Sequence, residues 1–133
     1  MFGDSGIYIA LLHTQQLMPV TRDVRYVDTC AKVNNKNVKV GKAKSFKIRE
    51  KNYWKDFDEK NVEFIPIAKL DDIDRAETAI LKRLERYRVI SPKGGKMDWL
   101  VGISPNKVVK AAYEALSTEN LDYQVIKNRF LKS

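Results

Sequence analysis

The chain has 133 residues, of which 44% are hydrophobic and 32% are charged. This length suits one domain with a real core and is too short for two. No apolar run approaches the roughly 20 residues that a membrane-spanning helix requires, so we expect a cytoplasmic protein with no membrane partner. The single cysteine, Cys30, and the single histidine, His13, exclude an internal disulfide and a Cys- or His-rich metal site. Any metal is therefore expected to be a hard ion bound by carboxylates.

The charge is strongly basic, with 25 Lys and Arg against 17 Asp and Glu, a net charge of +8 and a pI near 9.6. Residues 32–60 hold ten of the basic residues against four acids. This excess favours a polyanionic partner, nucleic acid first and an anionic membrane second. On charge alone, the alternative is a solvated lysine-rich face with no partner.

The first half of the chain predicts a small sheet and one helix. Residues 24–31 are rich in β-branched and aromatic side chains, residues 33–37 have turn chemistry, and residues 38–40 begin a return strand, which together predict a β-hairpin. Ser45 is a good N-cap for a helix from residue 46 to about 54. Residues 61–68 predict a third strand.

The second half predicts mainly helices. Asp71, Asp72 and Asp74 suit the start of a helix that runs from residue 75 to about 88. A short strand at 97–101, a helix at 106–116 capped by Ser104, and a last helix at 120–131 follow. The expected fold is α+β, with a small three-stranded, mostly antiparallel sheet flanked by helices. Residues 1–23 would form an N-terminal extension, 24–103 the domain, and 104–133 a helical extension packed on it.

One carboxylate is out of place in this pattern. Glu77 lies four residues after Ile73, inside the apolar stripe that Ile80, Leu81 and Leu84 continue. Burying an unpaired carboxylate costs several kcal/mol, so such a residue usually has a cation, a hydrogen-bond donor or a cleft beside it. Glu77 is either a functional ligand or a glutamate in a salt bridge at the edge of the core.

The run from Val38 to Tyr53 resembles the second half of the GIY-YIG nuclease signature. Gly41 ends a short strand, Arg49 follows it by eight residues, and Tyr53 follows Arg49 by four. The later helix with Glu77, and the triplet Asp98-Trp99-Leu100, look like the phage-type, T5orf172-like branch of that superfamily. The resemblance covers residues 24–103.

The resemblance implies a metal-dependent endonuclease that hydrolyses phosphodiester bonds of DNA. Glu77 would hold one Mg²⁺ (or Mn²⁺), and Arg49 would grip the scissile phosphate with its fork of donors. Tyr26 would be the general base or would position the water, with Lys39 beside it as the cation that lowers its pKa. Tyr53 would hydrogen-bond the phosphate or the water. For both tyrosines the alternative is plain core packing.

Two features leave alternatives open. Gly6-Ile7-Tyr8 matches the first motif literally, but it lies 31 residues before Lys39, so Tyr26 is the preferred first-motif tyrosine. The other possibility is that Tyr8 belongs to the true motif and an insertion follows it. The second motif has Lys39 where a tyrosine is usual, which leaves the general base open.

The expected partner is DNA, with no small-molecule cofactor. Contacts to backbone phosphates, which carry no sequence preference, are expected from six lysines: Lys42, Lys44, Lys47, Lys51, Lys93 and Lys96. No zinc finger or helix-turn-helix pattern is evident, so specificity would be low or supplied by a partner. The competing hypothesis is a non-catalytic, basic nucleic-acid-binding protein with a degenerate GIY-YIG domain. A small stand-alone nuclease would suit a phage, acting in the cytoplasm of the host cell.

Overall fold

The computed structural model describes residues 2–131 and shows an α+β domain. Its main sheet has six strands in place of the three expected, and every strand pair in it is antiparallel. From one edge to the other, the strands are β6 (Arg88–Ile90), β7 (Lys96–Val101), β4 (Asn37–Ala43), β1 (Gly6–Leu12), β5 (Val62–Lys69) and β8 (Gln124–Val125).

Strand β1 lies in the interior of the sheet, between β4 and β5, although residues 1–23 were expected to form an extension. All seven of its residues are buried. Ile7, Ile9 and Leu11 pack into one core cluster, whereas Tyr8 packs into a second cluster on the opposite face. A strand covered on both faces has no polar alternation, so periodicity alone does not distinguish its short apolar run from another kind of buried segment.

The predicted hairpin of residues 24–31 with 38–40 does not form. Residues 24–30 make consecutive turns instead, with the Cys30 amide donating to the Tyr26 carbonyl at 2.9 Å. The Asp23 carboxylate accepts a hydrogen bond from the Arg25 amide, a local turn that competes with strand pairing. Val24 is 86% exposed, so no core draws its β-branched side chain into a sheet. Residues 13–36 are therefore an insertion between β1 and β4, containing the small β2–β3 pair (Met18–Pro19 with Lys32–Val33).

Three predicted helices are confirmed, two of them with the expected serine caps, but the second ends at Arg83 and not near residue 88, where β6 begins. Helix α1 (Phe46–Phe57) begins after Ser45, whose hydroxyl accepts from the Ile48 amide. Helices α2 (Ile73–Arg83) and α3 (Pro105–Thr118) are capped by Asp72 and Ser104. Helix α1 covers one face of the sheet through Phe46, Tyr53 and Phe57, while α2 and α3 pack on the other face. The sheet thus separates α1 from α2.

The last predicted helix, at 120–131, is wrong. Asn120 has a φ of 55° and the Leu121 amide donates to the Leu116 carbonyl, a hydrogen-bond pattern that ends a helix. The chain then runs extended, and β8 pairs with Ala68 and Lys69 of β5. No helix among residues 2–131 combines the length and apolarity needed to cross a bilayer.

Candidate active site

The pairing of β1 with β4 places Tyr8 opposite Gly41 and Ala10 opposite Lys39. Because opposed residues and every second residue share a face of a sheet, Tyr8 and Lys39 project toward the same side, which α1 covers. The Tyr8 phenol lies directly on Gly41: a Cβ at that glycine would stand 2.2 Å from the Tyr8 hydroxyl oxygen. The glycine of the second motif therefore makes room for the tyrosine of the literal Gly6-Ile7-Tyr8.

Two buried tyrosines form the inner wall of the site. The hydroxyls of Tyr8 and Tyr53 are 2.7 Å apart, and their rings meet edge to face at a centroid distance of 5.6 Å. Burial raises the pKa of Tyr8 to about 12, and burial likewise raises the pKa of Tyr53 well above 10. Both phenols are therefore neutral at pH 7, as hydrogen-bond donors rather than phenolates.

Arg49 lies one helical turn before Tyr53 and lines the same cleft, whose volume is about 200 Å³. Its charge acts to lower the pKa of Tyr8, which places the guanidinium within electrostatic range of the tyrosine pair. Across the cleft, Lys39 Nζ is 2.7 Å from Asp98 Oδ2 and 5.9 Å from the centroid of the Trp99 ring. We call this space the cleft; its lining residues are Val20, Lys39, Arg49, Asn52, Tyr53, Asp56, Phe57, Met97, Asp98 and Trp99.

Glu77 comes to the site from α2, on the other face of the sheet. The pairing of β4 with β7 stops at Lys39 and Trp99, so residues 40–43 have an open edge on that side, where groups from both faces meet. Burial raises the pKa of Glu77, the nearby Lys42 opposes that shift, and the charges of Asp98 and Lys39 also act on it. Glu77 therefore lies within charge range of the cleft although its helix packs on the opposite face.

Within the described residues, the Glu77 carboxylate forms one ion pair, a long one with Lys42. Its Oε1 stands 3.8 Å from Lys42 Nζ, beyond hydrogen-bond distance, while that ammonium lies 2.5 Å from Asp74 Oδ1. In the described residues, no group of three His, Cys, Asp or Glu side chains is close enough to hold a metal ion by itself. A metal at Glu77 would thus take at most two ligands from such side chains and the others from water and substrate.

Four of the five residues predicted as catalytic converge on this region: Lys39, Arg49, Tyr53 and Glu77. Tyr26 does not, because it lies in the turns of the insertion, 47% exposed, with the Arg25 guanidinium 5.1 Å from its ring centroid. Tyr8 occupies the place beside Gly41 that was expected for Tyr26. This is the second of the two arrangements that the sequence left open, in which an insertion follows the literal Gly6-Ile7-Tyr8.

Asp98 is the other residue at the site for which no role was predicted. The register places Trp99 opposite Lys39, and Asp98 is the next residue, at the point where the β4–β7 pairing ends. From there its carboxylate reaches the Lys39 ammonium. The sequence pattern identified the triplet that contains Asp98 but gave no reason to bring its carboxylate to Lys39.

The six lysines predicted to contact DNA are spread around the molecule. Lys42 and Lys44 line a second groove beside the cleft. Lys47 and Lys51 are exposed on α1, and Lys93 is exposed in the loop before β7. Lys96 is exposed as well, with its ammonium 2.8 Å from Glu85. Contact of these lysines with DNA stays a prediction.

Fold and site together define a small α+β domain with a polar cleft built from tyrosines, an arginine, a lysine and carboxylates. The model of the T5orf172 domain matches residues 24–117, well over half of the chain, so this protein belongs to the T5orf172 domain family. That domain is phage-associated and nuclease-related. The matched segment begins after β1 and so leaves out Tyr8. No curated protein and no solved structure matches the chain.

Proposed function

We propose that the protein is a metal-dependent endonuclease of the GIY-YIG type, which hydrolyses DNA phosphodiester bonds with low or partner-supplied sequence specificity. The observation that carries this proposal is the approach of three charged side chains, Arg49, Glu77 and Asp98, to the hydrogen-bonded tyrosine pair. These side chains come from four different elements, and core packing accounts for the two tyrosines but not for the charged groups beside them. The net charge of +8 favours a polyanionic substrate.

The two cations of the cleft are suited to a phosphodiester. Arg49 is exposed on the cleft side of α1 and would donate to two phosphoryl oxygens through its planar fork. Lys39 would donate to a phosphoryl oxygen while Asp98 fixes its ammonium. The Asp98 carboxylate has further lone pairs, with which it would accept a hydrogen bond from the attacking water. The expected gain is charge stabilisation in the transition state.

The tyrosine pair acts as neutral donors in this scheme. One of the two hydroxyls donates the hydrogen bond that joins Tyr8 and Tyr53, so the hydrogen of the other hydroxyl is left for the substrate or the water. Tyr53 lines the cleft, whereas Tyr8 is 2% exposed and lies behind it. Tyr53 would therefore make the contact and Tyr8 would be a positioning residue. The raised pKa values speak against phenolate as the base.

Glu77 fits a Mg²⁺ site of the kind that depends on substrate phosphate. Mg²⁺ commonly takes one or two carboxylates, keeps several waters and binds phosphate oxygens. Bound there, the ion would neutralise phosphate charge and assist the leaving oxygen. The half-buried carboxylate with no hydrogen-bonded cation is the feature that makes Glu77 suitable for this task.

The test is nicking of supercoiled plasmid, and cleavage of a matched RNA, with and without Mg²⁺ or Mn²⁺. We expect Arg49→Ala to lower the rate about 10²- to 10³-fold, as loss of one transition-state donor does elsewhere. Glu77→Gln should abolish metal-dependent nicking. Arg25→Ala and Glu59→Gln, exposed residues outside the cleft, are matched controls. Nicking that survives both cleft substitutions would refute the site.

The second candidate function is nucleic-acid binding without catalysis. Lys39 stands where the motif usually has tyrosine and is paired with Asp98, and the described residues contain no group of three acidic, His or Cys side chains that could hold a metal. The same preparations decide between the two: wild-type protein that binds DNA or RNA but nicks neither with any divalent ion is a binding protein.

A further inference from the structure

The cleft is one of two adjoining grooves on α1. The second, which we call the side groove, has a volume of about 380 Å³ and is lined by Lys42, Lys44, Ser45, Ile48, Arg49, Asn52, Ile73 and Asp74. Arg49 and Asn52 line both grooves. Helical spacing explains this: residues 45, 48, 49 and 52 form one stripe of α1, residues 49, 52, 53 and 56 the next, and the stripes overlap at 49 and 52.

The two grooves differ in charge. The cleft balances two cations, Lys39 and Arg49, against Asp56 and Asp98. The side groove has three cations against one acid, Asp74, which is already paired with Lys42. No ion pair within the described residues uses Lys44 or Arg49. The uncompensated positive charge therefore lies in the side groove and at its junction with the cleft.

The first turn of α1 does not supply an anion site there. The Ser45 hydroxyl accepts from the Ile48 amide, and the Asp4 carboxylate accepts from the Lys47 amide and the Ser45 hydroxyl. Side chains, not helix amides, must hold any phosphate in the side groove.

The Asn52 side chain does not contribute hydrogen bonds to the fold of the described residues. It is exposed and makes no hydrogen bond to another residue in the range 2–131. An amide offers two donors and an acceptor, which suits phosphate and sugar oxygens as well as base edges. Beside it, Ile48 is 64% exposed on the same stripe and offers apolar contact to a sugar or base.

We propose that the side groove binds the nucleotide next to the scissile phosphate, and that Asn52 is the binding residue at the junction, with Lys44 contacting the following phosphate. This inference rests on the proposed function for the position of the scissile phosphate. It defines the substrate as a polynucleotide strand that continues past the cleft, rather than an isolated phosphodiester.

The experiment compares a DNA oligonucleotide with bis(p-nitrophenyl) phosphate, a diester that has no neighbouring nucleotide. One neutral hydrogen bond is worth about 0.5–1.5 kcal/mol, so Asn52→Ala should weaken oligonucleotide binding in EDTA about 2- to 12-fold. It should lower kcat/KM for the oligonucleotide by a similar factor and lower that for the small diester by a smaller factor. Asn106→Ala, an exposed asparagine on α3 that lines neither groove, is the matched control.

Lys44→Ala provides an independent test. Loss of one phosphate contact lowers the slope of log K for DNA binding against log salt concentration by about 0.9, whereas Asn52→Ala should leave that slope unchanged. Wild-type binding by Asn52→Ala, or equal losses with the oligonucleotide and the small diester, would overturn the inference. If wild type binds DNA but hydrolyses neither substrate, the proposed nuclease function fails, while the binding measurements still test whether the side groove binds a nucleotide.

Discussion

Replacing Gly41 with alanine should disrupt the tyrosine pair. The added Cβ would stand 2.2 Å from the Tyr8 hydroxyl oxygen and 2.4 Å from its ring carbon Cζ. The phenol has nowhere to move, because Tyr8 is 2% exposed, is bonded to Tyr53, and has the Phe64 ring centroid 4.4 Å away. Overpacking of this kind costs about 1–3 kcal/mol, and the lost hydrogen bond adds about 1 kcal/mol. We expect Gly41→Ala to lower the free energy of unfolding by about 2–4 kcal/mol.

Urea denaturation of a double-mutant cycle tests the cause. A Tyr8→Leu background lacks the phenol atoms that would clash with the new Cβ. In that background Gly41→Ala should change the free energy of unfolding by no more than about 0.5 kcal/mol. Gly41 is not among the glycines with positive φ, so backbone strain does not contribute. Gly95→Ala, whose Cβ would be 3.7 Å from the nearest atom, is the control. An equal cost of Gly41→Ala in both backgrounds would refute the reasoning.

Three further changes have defined outcomes. Glu77→Gln should raise the free energy of unfolding at neutral pH. Burial raises the pKa of Glu77, so the folded state binds the carboxyl proton more tightly than the unfolded state does. Wild-type stability therefore falls as the pH rises from the ordinary pKa of 4.5 through the raised pKa. Urea titrations should show the Gln advantage vanishing below pH 4.5; an advantage independent of pH contradicts this. Gly6→Ala should cost more than Gly41→Ala, since its Cβ would lie 1.9 Å from the Ala68 carbonyl oxygen, a backbone atom; a smaller thermal shift would be the contrary result. Asn37→Ala should cost about 1–3 kcal/mol by removing a buried amide that donates to the Leu100 carbonyl, and an unchanged Tm would count against that.

Local chemistry made the helices predictable. Ser45, Asp72 and Ser104 each supply a side-chain acceptor at a helix start, and the apolar spacing after them is helical. The same local information placed Arg49 and Tyr53 together on one side of α1. Glu77 was identified by its position on an apolar stripe, and its half-buried carboxylate agrees with that interpretation.

What sequence could not supply was strand pairing. Residues 24–31 and residues 6–12 are both plausible strands by composition, and only the formation of the core decides between them. The structure buries the second segment on both faces and leaves the first as turns. The choice of Tyr26 over Tyr8 follows directly from that one pairing error. The contact between Lys39 and Asp98 depends on a different pairing, that of β4 with β7, which the sequence did not predict either.

The insertion at residues 13–36 shows how little sequence distance constrains such a site. Doubling the length of a flexible loop costs only about 0.6 kcal/mol, whereas slipping the β1–β4 register by one residue would turn every side chain to the wrong face. The energy that holds Tyr8 over Gly41 therefore comes from the ladder and not from the connection. A search for proteins of this kind that fixes the gap between the two motifs discards chains with a long connection, while a search that scores the two strands as a pair keeps them.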